Sequence, residues 1–200
     1  MVAIKGYRLE MKQRRVQFLY AVAGTAAIYL LLLALNELVF TGSEYTPGIN
    51  WIYLPAGVRL LCTLLFGSAG ALGILIASWL ANIYYYFPDD FIRAAAGAAI
   101  SAGSPYLVYV MACRIFSLHD SLSNLTPARL LACAAACAVV NTLLHYLWFL
   151  FWGAANDWRQ AFVMLVGDMA GILLVLYGVR LVLGRLANRL KPAGRTRNGR

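Results

Sequence analysis

Hydrophobic positions in this chain fall into long, unbroken runs. Six of them, residues 16–40, 51–66, 71–87, 91–116, 128–153 and 160–183, approach the roughly 20 residues a helix needs to cross a hydrocarbon core of about 30 Å. The second is short. The runs are continuous instead of alternating, which predicts membrane helices and not strands. Gly67-Ser68-Ala69-Gly70 separates the second run from the third, Pro88-Asp89-Asp90 ends the third, and Gly103-Ser104-Pro105 predicts a break within the fourth. The expected fold is all-α: a polytopic transmembrane bundle of six spans.

Composition narrows the class further. Of 200 residues, 62% are hydrophobic and 12% charged, with a mean hydropathy of +0.70. A soluble domain is about half apolar and about a quarter charged. A soluble globule, a disordered chain and a secreted disulfide scaffold are therefore excluded. Cys62, Cys113, Cys133 and Cys137 all lie in apolar runs and read as small packing residues.

Charge supplies the topology. Lys5, Arg8, Lys12, Arg14 and Arg15 precede the first run, and Arg180, Arg185, Arg189, Lys191, Arg195, Arg197 and Arg200 close the chain. With Arg114 and Arg129 these are fourteen of the seventeen basic residues, all on one side of a six-span arrangement. The opposite loops hold Arg93 and Arg159 beside Glu44, Asp89, Asp90 and Asp157. The positive-inside rule puts both termini in the cytoplasm, as an even number of spans requires. Reading 51–87 as one helix would give five spans and translocate a basic end. The expected layout is a basic cytoplasmic segment at 1–15, a membrane domain at 16–183 and a mobile basic tail at 184–200. Residues 1–15 do not read as a signal peptide, since the apolar run after them is too long. The net charge of +9 hugs the membrane ends, so the expected partner is anionic lipid and not nucleic acid.

Helices in lipid associate through close backbone approach. Small residues form stripes at Ala95, Ala99 and Gly103, at Gly167 and Gly171, and through 132–137, so runs four, five and six are expected to pack together centrally. The Gly167/Gly171 pair reads as packing inside the monomer, with a dimer face as the alternative. Pro55 and Gly57 in the short second run, and Pro105 in the fourth, predict kinks or half-helices. Trp51, Tyr84, Tyr85, Tyr86, Trp152 and Trp158 read as an interfacial aromatic belt.

Charge within a bilayer costs several kcal/mol and needs a partner or a use. At about 1.5 Å per residue, Arg59, His145 and Asp168 each lie roughly 10–12 Å below the outer edge, on three different runs. Asn141 shares the His145 face one turn deeper, and Asn36, Glu37 and Tyr53 lie near the same side. Two readings stay open. Arg59–Asp168 is a structural clamp with His145 and Asn141 as interhelical hydrogen bonders, or these groups with Tyr53 form a pocket for a polar or anionic ligand. Catalytic signatures are weak. Ser101 or Ser104 with His145 and Asp168 can be written as a triad, but no nucleophile elbow surrounds either serine. HExxH, CxxC and P-loop motifs are missing, and Cys133 and Cys137 have no partnering ligand in sequence. No catalytic residue, metal or cofactor is expected, and His119 reads as a solvated loop residue.

The segment Trp51-Ile52-Tyr53-Leu54-Pro55-Ala56-Gly57-Val58-Arg59-Leu60 resembles the W-x-P-[small]-G-[apolar] segment of MASE1 membrane sensor domains and the P-x-G-x-R-L segment of UhpB-type sensor kinases. Residues 67–82 are similar to that family's glycine turn and third helix, and 166–174 to its D-x-x-G helix. The resemblance covers most of 16–183. It implies a bacterial inner-membrane sensing module, with Pro55, Gly57, Arg59, Asp168 and Gly171 on the family motifs. MASE1 domains usually have more spans and precede an output domain. This chain has neither, so the resemblance implies a signal passed to a separate protein partner. Six spans in 200 residues also resemble the substrate-binding S components of energy-coupling-factor transporters, with Ala23 and Ala27 as a docking pair. A third reading is an assembly protein with no ligand.

Overall fold

The computed structural model describes residues 2–118, 122–152 and 157–190. His119 and the basic residues beyond 190 lie outside the described residues. Six helices dominate: α1 (Val2–Phe40), α2 (Pro55–Phe66), α3 (Ser68–Ala81), α4 (Phe91–Phe116), α5 (Pro127–Trp152) and α6 (Trp158–Leu190). A π-helical turn, Asn82–Tyr86, extends α3. Five segments are long and apolar enough to cross a membrane, and α2 is shorter. The basic segment before residue 16 continues α1, and α6 runs on through residues expected to be tail.

A small hairpin interrupts the helical pattern. Strand β1 (Glu44–Thr46) pairs antiparallel with β2 (Ile49–Asn50). Pro47-Gly48 makes the turn, with Gly48 at φ +82°, where a side chain would be strained. The runs themselves are helical as expected, and the hairpin lies in the loop between runs one and two. Polar residues there have no helical period to follow, and proline-glycine closes a turn.

The second run is corrected too. Its helix begins only at Pro55, in the first-turn position where a missing N–H costs nothing. Asn36 of α1 caps the approach, its Oδ1 accepting from Leu54 N at 2.8 Å. Pro55 thus starts a half-helix and does not kink a long one. Twelve residues rise about 18 Å, and the stretch from β2 to Leu54 runs along α6. Tyr53 N donates to Gly167 O at 3.1 Å.

Glycine makes this descent possible. A Cβ on Gly167 would strike the Asn50 carbonyl oxygen, and one on Gly171 the Tyr53 carbonyl oxygen. The pair packs inside the monomer as expected, but against an extended backbone and not against α4 and α5. Gly57 lies against Val175 of α6, where a Cβ would come within 2.5 Å of the valine Cβ.

The centre of the bundle is α2, which touches each of the other five helices. Nine of its twelve residues are buried. Around it α1 packs on α3, α3 on α4, α4 on α5, and α5 on α6. The expectation that runs four to six form the centre is corrected accordingly. On α4, Ala99 and Gly103 face outward and Ala95 is half-buried, while Ala94, Ala98 and Ala102 turn inward. Nor does α4 break at Gly103-Ser104-Pro105. Ser104 and Pro105 are fully buried, and neighbouring helices hold the interrupted turn in place. Cys62, Cys133 and Cys137 are buried among the packed side chains and Cys113 is half-buried.

Candidate functional site

The central helix delivers Arg59 to the middle of the bundle, where it is 2% exposed. Its Nη2 meets Asp168 Oδ1 of α6 at 2.7 Å. Its Nη1 donates to Ser101 Oγ of α4 and to Asn141 Oδ1 of α5, both at 3.3 Å. Asn141 closes the circuit, its Nδ2 donating to Asp168 Oδ2 at 2.7 Å. Ser104 Oγ donates to the same Asn141 oxygen at 3.1 Å. One guanidinium, one carboxylate, one amide and two hydroxyls thus tie four helices together. Removing water strengthens these bonds and makes any missing partner costly.

Above this floor lies a cavity of about 70 Å³. Arg59, Asp168, Asn141, His145 and Tyr53, singled out from sequence, all line it. Tyr53 stands in the loop before α2. Its hydroxyl is 3.2 Å from that of Tyr29, and its ring centroid lies 5.3 Å from the Arg59 guanidinium carbon. His145 is hydrogen-bonded to neither member of the ion pair. Its Nδ1 is 3.0 Å from the Asn141 backbone oxygen. A carbonyl only accepts, so Nδ1 carries the proton and Nε2 keeps a lone pair when the ring is neutral. Ser101 and Ser104 hydrogen-bond within the Arg59–Asn141 network.

The hairpin and the neighbouring helix ends supply the upper wall. Pro47, Gly48, Ile49 and Asn50 line the cavity from the hairpin, and Tyr86 and Phe87 from the end of α3. Tyr86 and Tyr85 reach Glu37 of α1, donating to its two carboxylate oxygens at 2.9 and 3.2 Å. This π-turn, a feature common at functional sites, also turns Asn82 toward α4, where its Nδ2 donates to Ala94 O at 3.0 Å. Tyr86, expected in the aromatic belt, therefore also lines the site.

The lining groups that sequence reasoning missed include Asn50, Arg93, Trp148 and Met164. Arg93 reads as a loop charge, yet it is the third residue of α4, whose N-cap Asp90 accepts from its backbone N–H at 2.9 Å. The Asp-x-x-Arg spacing after Pro88 was the available signal. The guanidinium carbon lies 4.1 Å from the Phe87 ring centroid and 5.7 Å from that of Phe149.

Fold and site together define a multi-pass helical membrane bundle with a polar centre beneath a small hairpin. Comparison with protein-family models, curated proteins and solved structures finds no match.

Proposed function

We propose that this protein is a bacterial inner-membrane module that binds a small polar or anionic ligand from the outer side and passes the occupancy to a partner protein. The observation that carries the reading is the Arg59–Asp168–Asn141 floor beneath a cavity walled by the hairpin. A structural clamp needs the ion pair but not the space above it. The MASE1-like motifs support a sensing role, because Pro55, Gly57, Arg59, Asp168 and Gly171 all belong to the segments that build this floor and the descending loop. Six crossings with cytoplasmic termini accord with the charge distribution, α2 and its preceding loop together making the second crossing.

Transport is the second reading. Ala23 and Ala27 are exposed on α1, and nothing lies within 4 Å of where a Cβ on the intervening Gly24 would sit. Such a strip lets a partner helix approach closely. The cavity volume limits either reading. Drug-sized ligands occupy about 300–1,000 Å³, so about 70 Å³ suits a molecule of a few heavy atoms.

Sidedness is tested with Pro47→Cys in a chain whose four native cysteines are replaced. A membrane-impermeant maleimide should label it on intact cells. Labelling only after permeabilisation would put the cavity on the inner side and overturn the reading.

A further inference from the structure

Three buried nitrogens in the cavity-lining residues have no hydrogen-bond acceptor among the described residues: Arg59 Nε, Asn50 Nδ2 and Arg93 Nε. They come from three separate segments, α2, β2 and α4. All three are donors. Arg59 and Asn50 are 2% and 3% exposed, and a buried donor without an acceptor costs about 1–3 kcal/mol. Native interiors leave few such groups, and three around one cavity form a pattern.

The charges point the same way. Among the described residues Asp168 is the one carboxylate lining the cavity, and both its oxygens are engaged, one by Arg59 and one by Asn141. Its charge is balanced by Arg59. Among the described residues no carboxylate lies within 4.0 Å of the Arg93 guanidinium. Asp90, the nearest acid along the chain, is turned to the α4 backbone, and Glu37 is held by Tyr85 and Tyr86. Aromatic faces hold Arg93 instead. The cavity thus presents one cation in excess, carried by the half-buried Arg93.

We infer that the cavity is an oxyanion seat, in which Arg93, Asn50 and the free Nε edge of Arg59 hold a small carboxylate or phosphate. The inference rests on the proposed ligand pocket and names its chemistry. Acceptor oxygens would meet the three orphan donors, and the negative charge would balance Arg93. At about 10–15 Å³ per water, a cavity of about 70 Å³ has room for about five to seven waters, which matches acetate, pyruvate or inorganic phosphate. Carboxylate and phosphate share the donor requirement and differ in size and charge.

The test is a fluorescence titration of the full chain in detergent at constant ionic strength, with Trp148 in the cavity wall as a reporter. Sodium acetate, pyruvate and phosphate are compared with neutral acetamide, on wild type, Arg93→Gln, Arg93→Lys and Asn50→Ala. Saturable binding of at least one anion is expected, with acetamide silent. Arg93→Gln should weaken that anion at least about tenfold, as expected for loss of a charge-assisted bond, and Arg93→Lys should retain part of it. Whether acetate and pyruvate or phosphate bind distinguishes the two sources. If Arg93→Gln does not fold, Asn50→Ala and Arg93→Lys carry the comparison, since both should weaken the anion. Equal binding of acetamide and acetate, or unchanged anion affinity in the folded variants, overturns the oxyanion seat and leaves the pocket intact. No binding of any compound, neutral or charged, overturns the seat and the pocket together.

Discussion

At the scale of single residues, Arg59 is both the most costly and the most informative side chain. Truncating one partner of a buried pair leaves an uncompensated charge, at a cost of about 3–5 kcal/mol. Arg59→Ala should therefore lower the unfolding free energy by that order, and Arg59→Ala/Asp168→Ala should recover part of the loss. A double-mutant cycle measures the coupling, and purely additive losses would contradict the pair. Asn141→Leu should be as damaging as either single change, because it deprives Arg59, Ser104 and Asp168 of one partner each. Much of this network was legible in the chain. Charges are rare at membrane depth, and equal depth on three helices points to one meeting place. Asn50 and Arg93 were hidden because their place in the cavity depends on the hairpin and on how α4 begins, and neither follows from hydropathy.

At the scale of elements, glycines let backbone approach backbone. Gly167→Ala and Gly171→Ala should each destabilise the protein by about 1–3 kcal/mol or more, since extended backbone cannot move aside as a flexible side chain can. The descending loop, and Tyr53 with it, would be displaced. Gly103→Ala should be neutral or slightly stabilising, because no atom lies within 4 Å of its Cβ position and alanine favours helix. Melting temperatures of the three variants check this, and equal effects would contradict it. The sequence marks both Gly103 and Gly167 as small-residue packing positions. Spacing alone cannot tell which stripe faces inward, since that depends on the rotation of each helix about its axis. The same limit explains why α4 runs unbroken through Pro105 while Pro55 starts a helix. Proline states that a hydrogen bond is missing, and the surroundings decide whether the helix ends there.

For the whole molecule, the long apolar runs gave the helix count directly, because length and continuity dominate membrane insertion. Only α2 departs, as a short buried helix preceded by non-helical chain, an arrangement membranes tolerate where protein covers the backbone. Reporter fusions after the N-terminus and after residue 190 should both read as cytoplasmic, and opposite readings would contradict the proposed six-crossing topology. The most direct test of the ligand-binding claim is the ligand-dependent shift in melting temperature of wild type and Met164→Trp. That variant fills the cavity from α6 and spares the ion pair. Small acids, phosphate and neutral polar compounds form the panel. A ligand at about 100 times its Kd adds about 2.7 kcal/mol, which is several degrees for a chain of this size. Such a shift is expected in wild type with at least one small polar or anionic compound, together with its loss in Met164→Trp. No shift in wild type across the panel, or the same shift in both proteins, would contradict it and leave Arg59–Asp168 as a clamp.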